Sequence, residues 1–302
     1  MSIPQIPRPM RRADWLRLVI LSLLWGGSFF FIEIAVPHLP ALTIVWLRVT
    51  MAAGVLGLVL AATGTPFPPA RVWPALLVMG ALNNALPFTA FVLAQGLITG
   101  ALASILNATT PLFTLVVAAC LTREERLTPA RLGGLVLGLA GVAVMVGGAA
   151  ATGGAATALP YALCLGAALS YAFATIWGRQ FHKMGLAPMT TAFGMLAASA
   201  LMLVPAVAGI DQPWNLPAPP IVALGAIAGM AVLSTALAYL LYFRLLADAG
   251  SVNVALVTFL VPASAIALGI VILGETVLPR HLAGLALILT GLAVIDGRIL
   301  RR

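Results

Sequence analysis

Charge is the scarcest commodity in this chain. Of 302 residues only 8% are Asp, Glu, Lys or Arg, Lys183 is the single lysine, and there are three histidines and two cysteines. Soluble chains carry about 25% charged residues and about 45–50% apolar ones. Too little charge is present to cover a water-soluble fold of this size, which excludes a cytosolic enzyme, a disordered chain and a secreted disulfide scaffold. Cys120 and Cys164 lie within apolar runs and read as small hydrophobes. Three scattered histidines and acids confined to the ends of apolar runs assemble no Ser/His/Asp, Cys/His or metal-binding group. No enzyme activity, metal or cofactor is therefore expected. The phosphate loop G-x-x-x-x-G-K-[ST] is missing as well, so ATP is not the expected energy source.

Apolar residues fill the chain instead, at 62% and a mean hydropathy of +1.11. A hydrocarbon core about 30 Å thick needs about 20 helical residues to cross it. Pro, Gly and charge cut the sequence into ten runs near that length, at 15–35, 40–62, 72–94, 98–121, 129–149, 159–178, 188–209, 220–243, 251–273 and 281–297. An all-α integral membrane protein with ten transmembrane helices is expected. The net charge of +8 would suggest nucleic acid on a soluble domain, but its distribution gives another meaning. With the N-terminus inside, 14 of the 16 basic residues fall on the cytoplasmic side; Arg280 lies outside and Arg48 within a span. Retention of Arg and Lys on that side places both termini in the cytoplasm and nucleic acid outside the expected partners.

The two halves repeat at an offset of 150. Gly100 aligns with Gly250, Glu125 with Glu275, Pro129 with Pro279, Gly134 with Gly284 and Gly141 with Gly291; LTPARLGGLVLGLAG stands beside VLPRHLAGLALILTG. The expected organisation is a cytoplasmic segment 1–14, a first repeat 15–149, a linker 150–158, a second repeat 159–297 and a basic tail 298–302. Five spans per repeat is odd, so the second copy enters the membrane inverted, as in secondary transporters whose substrate site lies where the repeats meet. Mid-span Pro111 and Pro262 match after a one-residue slip and are candidate hinges or fixed kinks.

The LWGGSFF stretch from Leu24, Arg48 within WLRVTMA, and the doubled pattern of Pro, Glu and Pro with downstream Gly resemble the EamA-type branch of the drug/metabolite transporter superfamily. Within it the chain looks most like YddG-type bacterial exporters of aromatic and other neutral amino acids. The first copy departs from the pattern in carrying Arg123, Glu124 and Glu125 where Gly-Glu is usual. The resemblance implies two inverted five-helix halves around a central cavity and residence in the bacterial inner membrane. It also implies structural roles for Arg48, Glu125 and Glu275.

Polar or aromatic residues near mid-span mark candidate cavity positions: Trp25, Ser28, Asn83, Asn84, Thr110, Ser170, Tyr171, Ser234 and Tyr239. Each serine has the alternative of bonding a carbonyl one turn back. Arg48 reads either as a receptor for a substrate carboxylate or as a brace pairing with Glu33 or helix-end carbonyls. Phosphorylated cargo would call for several embedded cations and a lipophilic cation for a buried acid. The expected cargo is a small neutral or zwitterionic solute, an amino acid or another amphipathic metabolite or drug, exported by alternating access down its gradient, with proton coupling and a passive channel as the alternatives. A monomer or weak homodimer with lipid around it suffices.

Overall fold

In a hydrocarbon medium each backbone N–H and C=O must be satisfied within its own segment, which favours helices. The computed structural model describes residues 10–122 and 128–296, excluding the side chains of 147–157, 251, 252 and 296; these residues are all helix, turn or coil. Glu125, Arg123, Glu124 and the basic tail lie outside them.

The elements are α1 (Arg12–Ala35), α2 (Ala41–Thr63), α3 (Trp73–Gly80), α4 (Leu86–Gln95), α5 (Gly100–Asn107), α6 (Thr110–Leu121), α7 (Pro129–Lys183), α8 (Pro188–Ala206), α9 (Ile221–Ala231), α10 (Ala238–Ala249), α11 (Ser251–Val254), α12 (Val257–Leu273) and α13 (Pro279–Asp296). Eight stretches are long and apolar enough to cross a membrane, and Val257–Leu273 and Pro279–Ile295 are shorter apolar helices. Two of the eight, Pro129–Val146 and Ala158–Lys183, belong to α7. The connection expected at 150–158 has helical backbone within it, in keeping with its many alanines.

Irregularities within these stretches recur in both halves. Wide π turns at Ala81–Ala85 and Val232–Leu237 join α3 to α4 and α9 to α10. A break at Ala108–Thr109 divides α5 from α6, and another at Ala255–Leu256 divides α11 from α12. Pro111 opens α6 directly after its break, whereas Pro262 lies inside α12, six residues beyond its own. The two prolines share a register, but the bends beside them do not.

Two antiparallel crossings organise the packing. Where α7 meets α13, a Cβ on Gly134 would strike the Gly291 carbonyl and one on Gly141 the Gly284 carbonyl at 2.6 Å. The contacts run in opposite directions along the two helices. They also exchange equivalent positions, since Gly134 aligns with Gly284 and Gly141 with Gly291. These glycines therefore serve close backbone approach. Likewise α2 runs against α8, with Thr43 bonded to Asp211 beyond one end of α8 and Thr190, at its other end, donating to the Pro66 carbonyl at 2.8 Å. Between them, α1 packs on α12, α9, α10 and α5, and α4 and α6 pack on α7.

Charged residues fasten the edges. Asp14 bonds the Arg11 N–H at the start of α1 and, with Asp248 on α10, grips Arg17 at 3.2 and 2.6 Å. Asp211 accepts from both the N–H and hydroxyl of Thr43, at 2.7 and 2.9 Å, and so caps α2 from another part of the chain. Gly291→Val, forced against the Gly134 carbonyl, is expected to cost about 1–3 kcal/mol through overpacking. Gly133→Val meets open space. Melting of the purified protein in detergent should fall for the first and hold for the second.

Candidate functional site

A cavity of about 540 Å³ runs between the helices, within the range of about 300–1,000 Å³ usual for small-molecule sites. Its deep end holds Ile32, Arg48 and Phe91, and its lining continues along α7 through Ala174 and Gly178 to His182 and on to Leu186 and Pro188. The last turns of α7 also carry Arg179 and Lys183, so the cavity extends toward the end of the molecule that is richest in arginine among the described residues. The opposite end contains the connections 36–40, 96–99, 212–220 and 274–278.

Of the residues expected at the cavity, Trp25, Ser28, Asn83, Thr110, Tyr171, Ser234 and Tyr239 line it. Pro262 does too, whereas Pro111 is not in the wall. Asn84 and Ser170 stand behind it. Asn84 is fully buried and donates to Ser199 Oγ at 3.2 Å, while the single Ser199 hydroxyl proton is shared between the Met195 carbonyl one turn back at 2.7 Å and the Gly80 carbonyl at 2.9 Å. Ser170 donates to the Leu82 carbonyl at 2.7 Å. Both therefore serve the π turn at Ala81–Ala85, where the change of hydrogen-bond register leaves carbonyls for side chains to satisfy. In the second half Thr235, within the matching turn, donates to the Met230 carbonyl at 2.9 Å.

Aromatic rings form much of the wall. Trp25 and Tyr242 lie 5.5 Å apart between centroids, Tyr239 stacks on Phe243 at 6.0 Å, and Tyr171 stacks on Phe91 at 6.3 Å. The Asn83 amide donates to the Tyr239 hydroxyl at 3.1 Å, which fixes that ring. Ser234 Oγ is buried without a hydrogen-bond partner.

Arg48 lies at the deep end and is 5% exposed. Its Nε donates to Thr235 Oγ1 at 3.0 Å, and its guanidinium carbon sits 3.7 Å from the centre of the Phe88 ring. No ion pair joins it to a carboxylate among the described residues. Glu33 is not its partner, and Thr235 takes the place expected for helix-end carbonyls. An arginine carries five N–H donors in a planar fork suited to carboxylate, and one is used here. Glu275, for its part, accepts the Ala101 N–H at 3.0 Å and caps α5.

Sequence reasoning missed Asn107, Thr175, His182, Thr191, Thr235 and Thr258 in the wall. Thr235 could have been found by carrying Asn83-Asn84 through the repeat, since an offset of 151 lands on Ser234-Thr235. Asn107 stands just before the helix break preceding Pro111. Ser199→Ala leaves the Asn84 amide and the Gly80 carbonyl short of a buried partner, a loss of about 1–3 kcal/mol. The expected outcome is a lower melting temperature with solute affinity unchanged, whereas Tyr239→Phe changes affinity with little change in melting.

The family model of the EamA-like transporter family matches twice, over residues 15–147 and 158–296. The chain is 26% identical over 287 residues to the uncharacterized transporter YvbV of Bacillus subtilis, covering 93% of this chain and 90% of that one. It is 27% identical to the uncharacterized inner membrane transporter YedA of Escherichia coli K12, over 86% and 82% of the two chains. It is also 27% identical to a probable amino-acid metabolite efflux pump of Salmonella typhimurium, over 94% and 95%. A solved crystal structure superposes with a TM-score of 0.67 at 20% identity, covering 97% of this chain and 99% of the other, a likeness of fold. With two family matches filling a multi-pass helical chain, this protein belongs to the EamA-like transporter family of the drug/metabolite transporter superfamily.

Proposed function

We propose that the protein is a secondary transporter that exports small zwitterionic solutes, foremost amino acids including aromatic ones, across the bacterial inner membrane by alternating access. The observation that carries the substrate reading is Arg48, a buried cation in the cavity with no carboxylate paired to it. A substrate carboxylate supplies the missing anion and engages donors that Thr235 leaves unused. The faces of Trp25, Tyr171, Tyr239 and Tyr242 offer the ammonium group cation–π contact, and they match an aromatic or aliphatic side chain equally well. A single buried arginine is too little for a phosphorylated cargo, and its positive potential opposes a lipophilic cation. The efflux-pump relative agrees with this class of cargo.

Alternating access in this reading rests on ten spans, eight long helices and the two shorter ones completing the count, arranged as two inverted repeats. Its support is the antiparallel α7/α13 crossing, in which equivalent glycines exchange partners as an isologous two-fold contact requires. The matching π turns and the doubled family match point the same way. The arginine-rich end is then cytoplasmic, both termini lie there, and the cavity faces inward. Substrate enters at the α7–α8 turn, seats its carboxylate at Arg48, and leaves when the far end opens. Its own gradient drives the cycle.

Counterflow into proteoliposomes tests this reading. Phenylalanine, tryptophan and leucine should exchange saturably, and their amides, which lack the carboxylate, should be carried at least about tenfold less well, the worth of one charge-assisted pair. Arg48→Gln should abolish that discrimination while the folded protein is retained. Equal transport of acids and amides by the unaltered protein would reject the role of Arg48, and non-saturable flux would reject a carrier.

A further inference from the structure

Two polar rungs cross the cavity between the same pair of stretches, α3–α4 and α9–α10. In the deeper one Arg48 reaches in from α2, its guanidinium carbon 3.7 Å from the centre of the Phe88 ring and its Nε–H donated to Thr235 at 3.0 Å. In the other the Asn83 amide donates to the Tyr239 hydroxyl at 3.1 Å. Asn83 precedes Phe88 by five residues and Tyr239 follows Thr235 by four. On each stretch the second rung is thus about one turn from the first, roughly 5–7 Å. Because α4 ends and α9 begins at the end opposite the mouth, both shifts lead toward the mouth.

Hydrogen bonds fix which way each group of the second rung faces. The Ser199 proton goes to the carbonyls of Met195 and Gly80, so its oxygen takes the Asn84 Nδ2 at 3.2 Å. That turns Asn84 Oδ1 toward Asn83, which presents Nδ2 to it at 3.2 Å and to the Tyr239 hydroxyl at 3.1 Å. The Met195 sulfur, 3.7 Å away, is a weaker third recipient. An amide has two N–H donors and one oxygen that only accepts. With Nδ2 engaged in this way, Asn83 Oδ1 accepts no hydrogen bond among the described residues. It is not sealed away either, since Asn83 is half-buried and lines the cavity.

We propose that Asn83 Oδ1 receives the α-ammonium group of the cargo, an assignment that rests on the reading of Arg48 as the receptor for its carboxylate. In an amino acid the two charged groups are joined through one carbon, and a hydrogen bond of about 2.8 Å at each end gives the head group a reach comparable to one helical turn. The carboxylate then sits deep at Arg48 and the ammonium one turn nearer the mouth. The side chain is left to the ring faces of Trp25, Tyr171 and Tyr242, which line the same cavity. An ammonium donates and never accepts, so the amide oxygen suits it where an N–H would repel it. Asn84 and Tyr239 act as positioning residues, each holding one Asn83 N–H so that the oxygen stays turned to the cargo. A carboxylic acid without the ammonium leaves Oδ1 unmatched once cargo has displaced water, and an unmatched polar group is costly. The site therefore selects α-amino acids over carboxylic acids of the same shape.

Equilibrium binding to the purified protein, with phenylalanine, 3-phenylpropionate and phenylalanine amide as probes, tests the assignment. 3-Phenylpropionate, which lacks the ammonium, should bind the unaltered protein at least about tenfold more weakly than phenylalanine. Asn83→Leu, which keeps the bulk and removes Oδ1, should bring these two affinities together by weakening phenylalanine alone. Tyr239→Phe should narrow the difference in part, because the Asn83 amide is then free to turn. Asn83→Asp puts a carboxylate where the amide oxygen stood and should tighten binding of phenylalanine amide; this variant decides the matter if Asn83→Leu does not fold. Equal binding of phenylalanine and 3-phenylpropionate by the unaltered protein overturns the proposal, as does a difference that survives Asn83→Leu or an Asn83→Asp protein with no gain for the amide. Phenylalanine amide also keeps the two readings apart. Equal binding of phenylalanine and its amide by the unaltered protein overturns Arg48 as carboxylate receptor, whereas an unchanged ratio in Asn83→Leu overturns only the ammonium site.

Discussion

The requirement that no backbone hydrogen-bonding group be stranded in an apolar medium governs this molecule from its spans to its cavity. Regular helices meet the requirement alone, and most of the chain consists of them. At the π turns and at the breaks beside Thr109 and Leu256 they no longer do, and there polar side chains gather. Ser170, Ser199 and Thr235 donate to the carbonyls of Leu82, Gly80 and Met230, and Thr110 donates to that of Asn107. The cavity lies beside these irregular places. Of these residues Thr110 and Thr235 line the cavity, and Arg48 enters the network through Thr235, a residue already committed to a carbonyl.

Two kinds of contact hold the halves together. Glycine faces on α7 and α13 bring backbones together without side chains between them, a contact that depends on close packing rather than on exclusion of water. Polar contacts elsewhere are local and directional: Ser264 donates to the Ser22 carbonyl at 2.6 Å, locking α12 to α1, and Trp177 donates to the Ala75 carbonyl at 3.0 Å. The offset of the two helix breaks by about one turn separates the otherwise matched segments α5–α6 and α11–α12. With the cavity extending toward one end only, that difference is where the two copies visibly depart from one another.

Much of the fold was legible because apolar length and helix breakers are one-dimensional signals. The runs ending near Ala35, Thr63 and Gln95 agree with α1, α2 and the α3–α4 stretch. The helical backbone across 150–158 was harder to see, since glycine and alanine favour opposite outcomes there. The cavity was only partly legible for a geometric reason: residue depth follows from counting along a span, but the direction a side chain faces does not once a π turn rotates everything after it. Asn83 and Asn84 are adjacent within such a turn, and one meets the cavity while the other meets Ser199. Arg48 was visible as a lone embedded charge, but its partnership with Thr235 joins residues 187 positions apart, which no local spacing discloses.

The caps at the far end have a consequence for how the protein is made. Thr43 and Ala101, both in the first half, receive their capping carboxylates from Asp211 and Glu275 in the second, and the carbonyls of Gly80 and Leu82 wait for Ser199 and Ser170. A ribosome delivers the first half before those partners exist. Taken alone, the first half therefore lacks these side-chain partners for its helix starts and π-turn carbonyls, and the second half supplies them.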